Sequence, residues 1–235
     1  MKATWTLGLV CLMAIVPLVA GGCKEAVLKA KGAKGYWAFD GSGATVVNGI
    51  GANHGQVQGD LARTEGKDGQ AVAFDGKGYV RIDTAPYLSA PAYTFAAWVN
   101  LSNTGDYQYI VWRGGPDFPE MTQCRNLDIW VTMEGTLAGL LDYKNDAEPR
   151  LHLVGAATVA DGKWHHVALV NDGKTATFYV DGKQDGQDTL AGPLADNDFP
   201  LWIGARPGDV AATGVIDEVI FFDRALTPDE VAAMP

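Results

Sequence analysis

Carboxylate side chains have the clearest potential for hydrolytic chemistry in this sequence. A glycoside hydrolase needs two of them about 5–9.5 Å apart, one as the acid and the other as nucleophile or base. Asp217 and Glu218 are adjacent in a segment with strand character, and neighbouring strand residues point to opposite faces. The sequence therefore predicts no catalytic residues, although carboxylates from different strands can still converge. We expect a protein that binds its ligand without transforming it.

A histidine pair and a single cysteine are the next candidates for metal or nucleophilic chemistry. His165 and His166 are consecutive, so in a strand they face opposite sides and are not expected to ligate one ion. Cys124 lies at no recognised catalytic spacing, and Cys11 and Cys23 belong to the N-terminal region. We expect Cys124 to be buried as a small hydrophobic side chain without a disulfide.

Aromatic residues beside planar polar groups are the third candidate, because a sugar stacks on aromatic rings and forms hydrogen bonds with polar groups. Trp112 is next to Arg113, and Asp142 is next to Tyr143, within a segment (105–150) rich in both types. We predict that these four residues contact a carbohydrate. Aromatic residues on strands more often belong to the core. The tryptophans that we expect there are Trp98, Trp130 and Trp202.

The charge of the chain restricts its partners. The 235 residues include 18 Lys and Arg against 28 Asp and Glu, a net charge of -10 at pH 7. This excess of negative charge argues against nucleic acid, whose phosphates would be repelled. It is compatible with a cation, a neutral ligand or a basic partner. With 47% hydrophobic residues, the chain has enough apolar material for a folded core.

Residues 1–22 have the organisation of a secretory signal peptide. Met1-Lys2 is basic, Trp5–Ala20 is apolar and uncharged, and small residues follow. The small residues before Cys23 resemble the lipobox of bacterial lipoproteins, which implies lipidation of that cysteine and a membrane anchor. Ordinary signal cleavage and a retained transmembrane span are the alternatives. Residues 23–34 are expected to form a tether in a protein exported to the cell envelope or secreted.

Short strands must position these residues. From Gly35 onward, aromatic and β-branched segments alternate with clusters of Gly, Asp and Asn. In Trp164–Gln187, two Asp-Gly pairs predict tight turns within a meander of three antiparallel strands. Strands that recur without intervening helices predict a sandwich or a barrel. The strands predicted are Tyr36–Asp40, His54–Gln58, Gln70–Phe74, Tyr79–Ile82, Thr94–Leu101, Gln108–Arg113, Leu127–Val131, Leu137–Asp142, Trp164–Asn171, Thr175–Val180, Pro200–Ile203 and Val215–Phe222.

One short helix is predicted near the C-terminus. Thr227 is placed as the N-cap, Pro228 as the first helical residue and Glu230 as the reciprocal capping carboxylate. The sequence shows no internal repeat and no second domain boundary. Residues 35–235 are therefore expected to form one domain.

A series of short motifs follows in order along this domain. They are Tyr36–Asp40, Asn53–Gly55, Ala73–Val80, Thr94–Val99, Asp161–Ala168, Phe178–Lys183 and Gly214–Val219. In this order they resemble the LamG-like jelly-roll family. The resemblance implies an all-β, concanavalin A-like jelly-roll sandwich of two antiparallel sheets. It also implies a family composed mostly of non-catalytic binding modules, with glucanases among the related folds.

The same resemblance implies a calcium ion. Family members often hold calcium between the N-terminal loops and the C-terminal Ile-Asp-Glu strand, which here corresponds to Asp40, Asn48, Asn53 and Asp217. Calcium takes six to eight oxygen ligands, which such loops can supply. The family commonly has aspartate where this chain has Asn48, so one charge is missing. The alternative is that Asp40 and Asp217 bind backbone amides in turns.

These observations predict a carbohydrate-binding module at the bacterial cell envelope, with calcium ordering its loops. A domain that binds a cell-surface protein is the second hypothesis. A glycoside hydrolase or lyase on the same fold is the third. The sequence leaves the oligomeric state open.

Overall fold

A computed structural model describes residues 20–115, 124–144, 150–206, 208 and 210–234. The elements in these residues are α1 (Ala20–Ala30), β1 (Ala33–Trp37), β2 (Thr45–Val46), β3 (Gly55–Gln58), β4 (Ala62–Glu65), β5 (Gln70–Asp75), β6 (Tyr79–Ile82), a 3-10 helix (Pro86–Ser89), β7 (Tyr93–Leu101), β8 (Gln108–Arg113), β9 (Leu127–Val131), β10 (Thr136–Leu141), β11 (Leu151–Thr158), β12 (His165–Asn171), β13 (Thr175–Val180), β14 (Lys183–Thr189), β15 (Leu201–Ile203), β16 (Thr213–Phe222) and α2 (Pro228–Ala232). The predicted signal peptide lies outside the described residues except at its end, Ala20–Gly22, which is helical.

The strands form two antiparallel sheets, which confirms the predicted sandwich. Sheet 1 has the order β14-β13-β12-β7-β16-β5-β4, and β1 pairs with the second half of β16. Sheet 2 has the order β11-β10-β9-β8-β15-β6-β3-β2. Alternate residues of both sheets point inward and form one large apolar core, as an aligned sandwich requires.

The turns and the C-terminal cap agree with the sequence. Asp181 and Gly182 both have positive φ angles, 50° and 73°, as a tight hairpin turn between β13 and β14 needs. Thr227 accepts a hydrogen bond from the Glu230 amide, and the Glu230 carboxylate accepts one from the Thr227 amide. This reciprocal cap starts α2 where it was predicted.

The segment 23–34 differs from the expected tether. Helix α1 occupies most of it, and Leu28 is fully buried in an apolar cluster on the outer face of sheet 1. That cluster also contains Tyr36, Ile220 and Val231, so α1 and α2 cover one side of the sheet together. Of the two large apolar residues in α1, Val27 is exposed and Leu28 is buried. One buried residue is too weak a pattern to be found by periodicity, which explains why the sequence did not predict this packing. Among the described residues, no helix is long and apolar enough to span a membrane.

Candidate functional site

A groove crosses the outer face of sheet 2, on the opposite side of the sandwich from α1. Strands β8 to β11 form its floor, and the segment after β15 closes one side. It is lined by Tyr109, Arg125, Trp130, Leu140, His152 and Arg206, and we call it the aromatic groove. Its volume of about 450 Å³ lies in the range of small-molecule sites, about 300–1,000 Å³.

The groove is built on contacting aromatic rings. Tyr109 meets Trp112 edge to face at 5.9 Å and lies at the same centroid distance from Trp130. The exposed ring of His152 stacks on Trp130 at 6.1 Å with an interplanar angle of 13°. These rings anchor one another, so the aromatic surface is rigid before a ligand arrives.

Two arginines lie over these rings. The Arg206 guanidinium is 5.0 Å from the Trp112 ring centre, and its Nη1 donates to the Tyr109 hydroxyl at 3.1 Å. Arg125 lies 5.8 Å from the same ring. Arg125 also donates to both carboxylate oxygens of Asp142, at 3.1 and 3.2 Å. The charge of the buried Arg125 is therefore offset within the protein, whereas Arg206 is half-buried at the edge of the groove.

A buried carboxyl group lies on the same outer face of sheet 2. Asp128 is fully buried on β9, opposite Trp112 and two residues from Trp130. Neither carboxyl oxygen has a hydrogen bond of ordinary geometry, although the backbone amide of Leu140 is close enough to interact with the carboxyl group. Burial raises the pKa of Asp128 well above its usual value, although Arg125 and the backbone amide of Leu140 oppose the rise. The folded protein therefore favours the neutral acid at this position.

The four predicted sugar contacts occupy different places. Trp112 lies beneath the two arginines and is only 2% exposed. Arg113 is fully buried on the other side of β8, as adjacent strand residues must be. Asp142 joins Arg125 and Arg150, and the Tyr143 side chain packs in the main core. Trp112 and Asp142 thus support the groove from below, whereas Arg113 and Tyr143 face the interior.

The buried side chain of Arg113 is bound by residues of the protein interior. Its guanidinium donates to the carbonyl oxygens of Leu88, Asn197 and Phe199 and to the hydroxyl of Ser89. Burial lowers the pKa of Arg113, while Asp196 and Asp198 favour its charged form. Arg113 therefore connects the 3-10 helix Pro86–Ser89 to the segment before β15 inside the sandwich.

Sequence reasoning missed Trp130, Tyr109, His152 and Arg206 as groove residues. Trp130 was expected in the core, yet Leu127, Ile129 and Val131 of β9 point inward and Trp130 points outward. This strand alternation was visible in the sequence and was the available signal. Trp202 also packs with the rings of this outer face, whereas Trp98 contacts His166 on sheet 1.

The residues nominated for calcium do not fit a metal site as they are arranged. The Asn48 Oδ1 accepts three backbone amides, and its buried Nδ2 has no acceptor. Asn53 directs its Nδ2 to two carbonyls. The Asp40 Oδ1 accepts from the Gln70 amide at 2.8 Å. Among the described residues, no group of three His, Cys, Asp or Glu side chains is placed to hold a metal ion.

Asp217 is likewise engaged by the backbone. Its Oδ2 accepts from the amides of Lys67 and Asp68 at 2.8 and 3.3 Å, and its Oδ1 accepts from the Glu218 amide. Burial raises the pKa of Asp217 to about 7, although the two loop amides oppose the rise. In this structure Asp40 and Asp217 therefore bind backbone amides, which was the alternative to calcium binding.

The histidine pair divides as the strand geometry requires. His166 is buried beside the Trp98 ring, and burial lowers its pKa to about 4. His165 lies between the carboxylates of Asp181 and Asp161, at 2.9 and 3.1 Å. Cys124 is half-buried and forms no disulfide, so it is more accessible than expected.

Comparison with known families and structures places this geometry in context. The model of the concanavalin A-like lectin/glucanases superfamily matches residues 74–232. Domain 4 of AbnA, an extracellular GH43 arabinanase from Geobacillus stearothermophilus, was solved in complex with arabinotriose. It has a TM-score of 0.62 and 18% identity, with 86% of this chain and 98% of that domain covered. The binding domain of Paraclostridial Mosquitocidal Protein 1 has a TM-score of 0.67 and 13% identity, with 86% and 51% covered.

Two further comparisons concern parts of larger proteins. Trypanosoma rangeli sialidase in complex with sialic acid has a TM-score of 0.65 and 17% identity, with 86% of this chain and 32% of the sialidase covered. Likeness at such identities shows the fold alone. The calpain-type cysteine protease ADL1 of Oryza sativa subsp. japonica is 35% identical over 34% of this chain. This chain spans 5% of the length of that protein.

Proposed function

This chain belongs to the concanavalin A-like lectin/glucanases superfamily, and from that premise we propose that it is a non-catalytic module that binds a carbohydrate in the aromatic groove. The observation that carries the proposal is the cluster formed by Tyr109, Trp130 and His152 beside two guanidinium groups. Ring faces bind the C–H faces of sugars, and the half-buried guanidinium group of Arg206 at the rim is placed to bind hydroxyls.

The charges of the groove favour a neutral sugar. The Asp142 carboxylate offsets the Arg125 charge, and Glu134 and Arg206 bring one negative and one positive charge to the lining. Burial favours the neutral form of the Asp128 carboxyl. Arabinotriose, the ligand named for the arabinanase domain, is a neutral oligosaccharide and therefore a suitable first probe.

The acidic residues of the groove support binding rather than hydrolysis. Among the described residues that line it, only Glu134 carries a carboxyl group. A glycoside hydrolase requires two, one on each side of the scissile bond.

A protein ligand is the second candidate. Tyr107, Met133 and Val154 surround the groove and are 42–50% exposed. Exposed apolar side chains around an aromatic centre are typical of protein interfaces. The similar fold of the binding domain of Paraclostridial Mosquitocidal Protein 1 is compatible with this candidate.

The experiment is a glycan array, with and without a calcium chelator, followed by calorimetry with arabinotriose. We expect His152→Ala and Trp130→Ala to weaken binding by at least tenfold, which corresponds to about 1.4 kcal/mol. Tyr79→Ala is the matched control, because Tyr79 lies half-buried on β6 of the same sheet, outside the groove. Failure of the wild-type protein to bind any glycan would refute the carbohydrate proposal.

We also propose that the protein is exported and attached to a membrane through lipidated Cys23. The support is the sequence pattern of residues 1–23. A mass measurement of the mature N-terminus tests this directly, because an unmodified Cys23 excludes the lipid anchor.

A further inference from the structure

A buried acidic corner lies on sheet 1, at the β-bulge of β16. The pairing of β16 with β7 shifts register between Asp217 and Ile220, and Glu218 adopts a φ angle of 53°. The bulge interrupts the strand alternation, so that Asp217 binds the loop 66–70 and Glu218 lies beside the same loop. Two adjacent carboxyl groups are therefore buried together, 0% and 2% exposed.

Lys24 of α1 provides the counter-charge in this corner. Its Nζ lies 2.5 Å from the Glu218 Oε2 and 2.8 Å from the Asp68 Oδ2. The other Glu218 oxygen accepts from the Tyr36 hydroxyl at 2.8 Å. Glu218 therefore has a partner for each oxygen, and the ammonium group bridges strand β16 to the loop 66–70.

The electrostatics of the pair are reciprocal. Burial raises the pKa of Glu218, and hydrogen bonds from Lys24 and Tyr36 oppose that rise. Burial lowers the pKa of Lys24, but its contacts with Asp68 and Glu218 outweigh burial and raise it overall. A carboxylate that is almost fully removed from water needs a paired cation, since an isolated buried charge costs several kcal/mol.

Helix α1 is held to the domain at further points. Leu28, one helical turn after Lys24, is fully buried against sheet 1. At the C-terminal end of the helix, the Lys31 carbonyl accepts a hydrogen bond from Arg224 at 3.0 Å. The Lys24 ammonium is therefore fixed by the packing of the helix.

We propose that Lys24 is the resident cation of this acidic corner, so that the domain relies on the docking of α1 and not on a divalent metal ion. The resemblance to LamG-like domains implies calcium at Asp217 and the nearby loops, and those side chains are engaged by backbone amides. The positive charge of this corner comes from Lys24 of the same chain. It pairs with Glu218, the residue that follows Asp217.

The test measures the melting temperature in EDTA and in millimolar CaCl2. The wild-type melting temperature is expected to be equal in the two buffers within about 1 °C. Lys24→Met is expected to lower it by at least about 5 °C, because loss of one partner of a buried pair is strongly destabilising. Lys29→Met is the matched control, since Lys29 is exposed on the same helix. It is expected to change the melting temperature by less than 1 °C.

The double variant Lys24→Met/Glu218→Gln separates loss of charge balance from loss of packing. Its melting temperature is expected to exceed that of Lys24→Met, because the unpaired carboxylate has been removed. The proposal is overturned if calcium raises the wild-type melting temperature by several degrees, or if Lys24→Met behaves like Lys29→Met. The calcium comparison needs only the wild-type protein, so it remains decisive if Lys24→Met does not fold.

Discussion

Replacing Asp128 by valine is expected to stabilise the protein. Both carboxyl oxygens of Asp128 are buried without a hydrogen bond of ordinary geometry, and the weak interaction with the Leu140 amide compensates only in part. A poorly satisfied buried group costs about 1–3 kcal/mol. Valine branches one carbon earlier than aspartate, but it is of similar size, has no polar atoms and suits a strand. We therefore expect Asp128→Val to raise the free energy of unfolding by about 1–3 kcal/mol at pH 7. The melting temperature should rise by roughly 2–4 °C for each kcal/mol.

The pH dependence of this gain provides an independent check. Because burial raises the pKa of Asp128, the folded protein binds this proton more tightly than the unfolded chain does. The contribution of Asp128 to stability is therefore largest below its unfolded pKa of about 3.9 and is lost as the pH rises. The advantage of Asp128→Val should accordingly be smaller at pH 4 than at pH 7.

The assay is urea unfolding at both pH values, followed by tryptophan fluorescence. Asp188→Val is the control, because Asp188 is an exposed aspartate in β14 and its replacement should change the free energy of unfolding by less than about 0.5 kcal/mol. An unchanged or lower free energy of unfolding for Asp128→Val at pH 7 would refute the reasoning. It would mean that the Asp128 carboxyl has a favourable partner in solution.

Two further predictions concern buried polar side chains. Arg113→Met should lower the free energy of unfolding by about 3 kcal/mol or more, because it leaves two buried carbonyl groups and one part-buried carbonyl group without their donor. Urea unfolding measures this effect, with Arg81→Met as the exposed control, and equal effects of the two variants would contradict the prediction. The pKa of His166 is lowered to about 4, so its protonation makes the folded protein less stable as the pH falls from 6.5 to 4. His166→Phe should remove this loss of stability, which amounts to up to about 3 kcal/mol. The wild-type His166 contribution is lost as the pH falls through this window, so an unchanged slope in the variant would disprove its origin in His166.

The sandwich could be predicted from the sequence because its signals are local. Asp-Gly turns, β-branched runs and the capping box each determine a few neighbouring residues, and all of these agree with the structure. Strands β2, β4 and β11 were not predicted. Their sequences, TV, ARTE and LHLVGAAT, are short or contain small and polar residues, so pairing with neighbouring strands defines them.

The groove was harder to predict because its residues come from distant parts of the chain. Arg206 follows β15, whereas Arg125 precedes β9, and only the sheet order brings them to one surface. No spacing rule connects them in a single sequence. The predicted pair Trp112 and Arg113 was inconsistent with the rule applied to His165 and His166, since adjacent strand residues cannot share a face.

The aromatic groove and the acidic corner at Glu218 were also hard to predict because both depend on β-bulges. In β8, the register shifts between Tyr109 and Val111, which allows Tyr109 and Trp112 to share the outer face although three positions separate them. Regular alternation would turn one of these rings into the core and remove half of the edge-to-face pair.

The bulge in β16 brings two carboxyl groups to one face, as the bulge in β8 does for two aromatic rings. It brings Asp217 and Glu218 to one loop, where strict alternation would have placed them on opposite faces. A bulge adds one unpaired residue and leaves no mark in hydrophobic periodicity, so a single sequence does not reveal it. Both candidate sites of this protein thus lie where a strand departs from regular alternation, the pattern from which the fold was predicted.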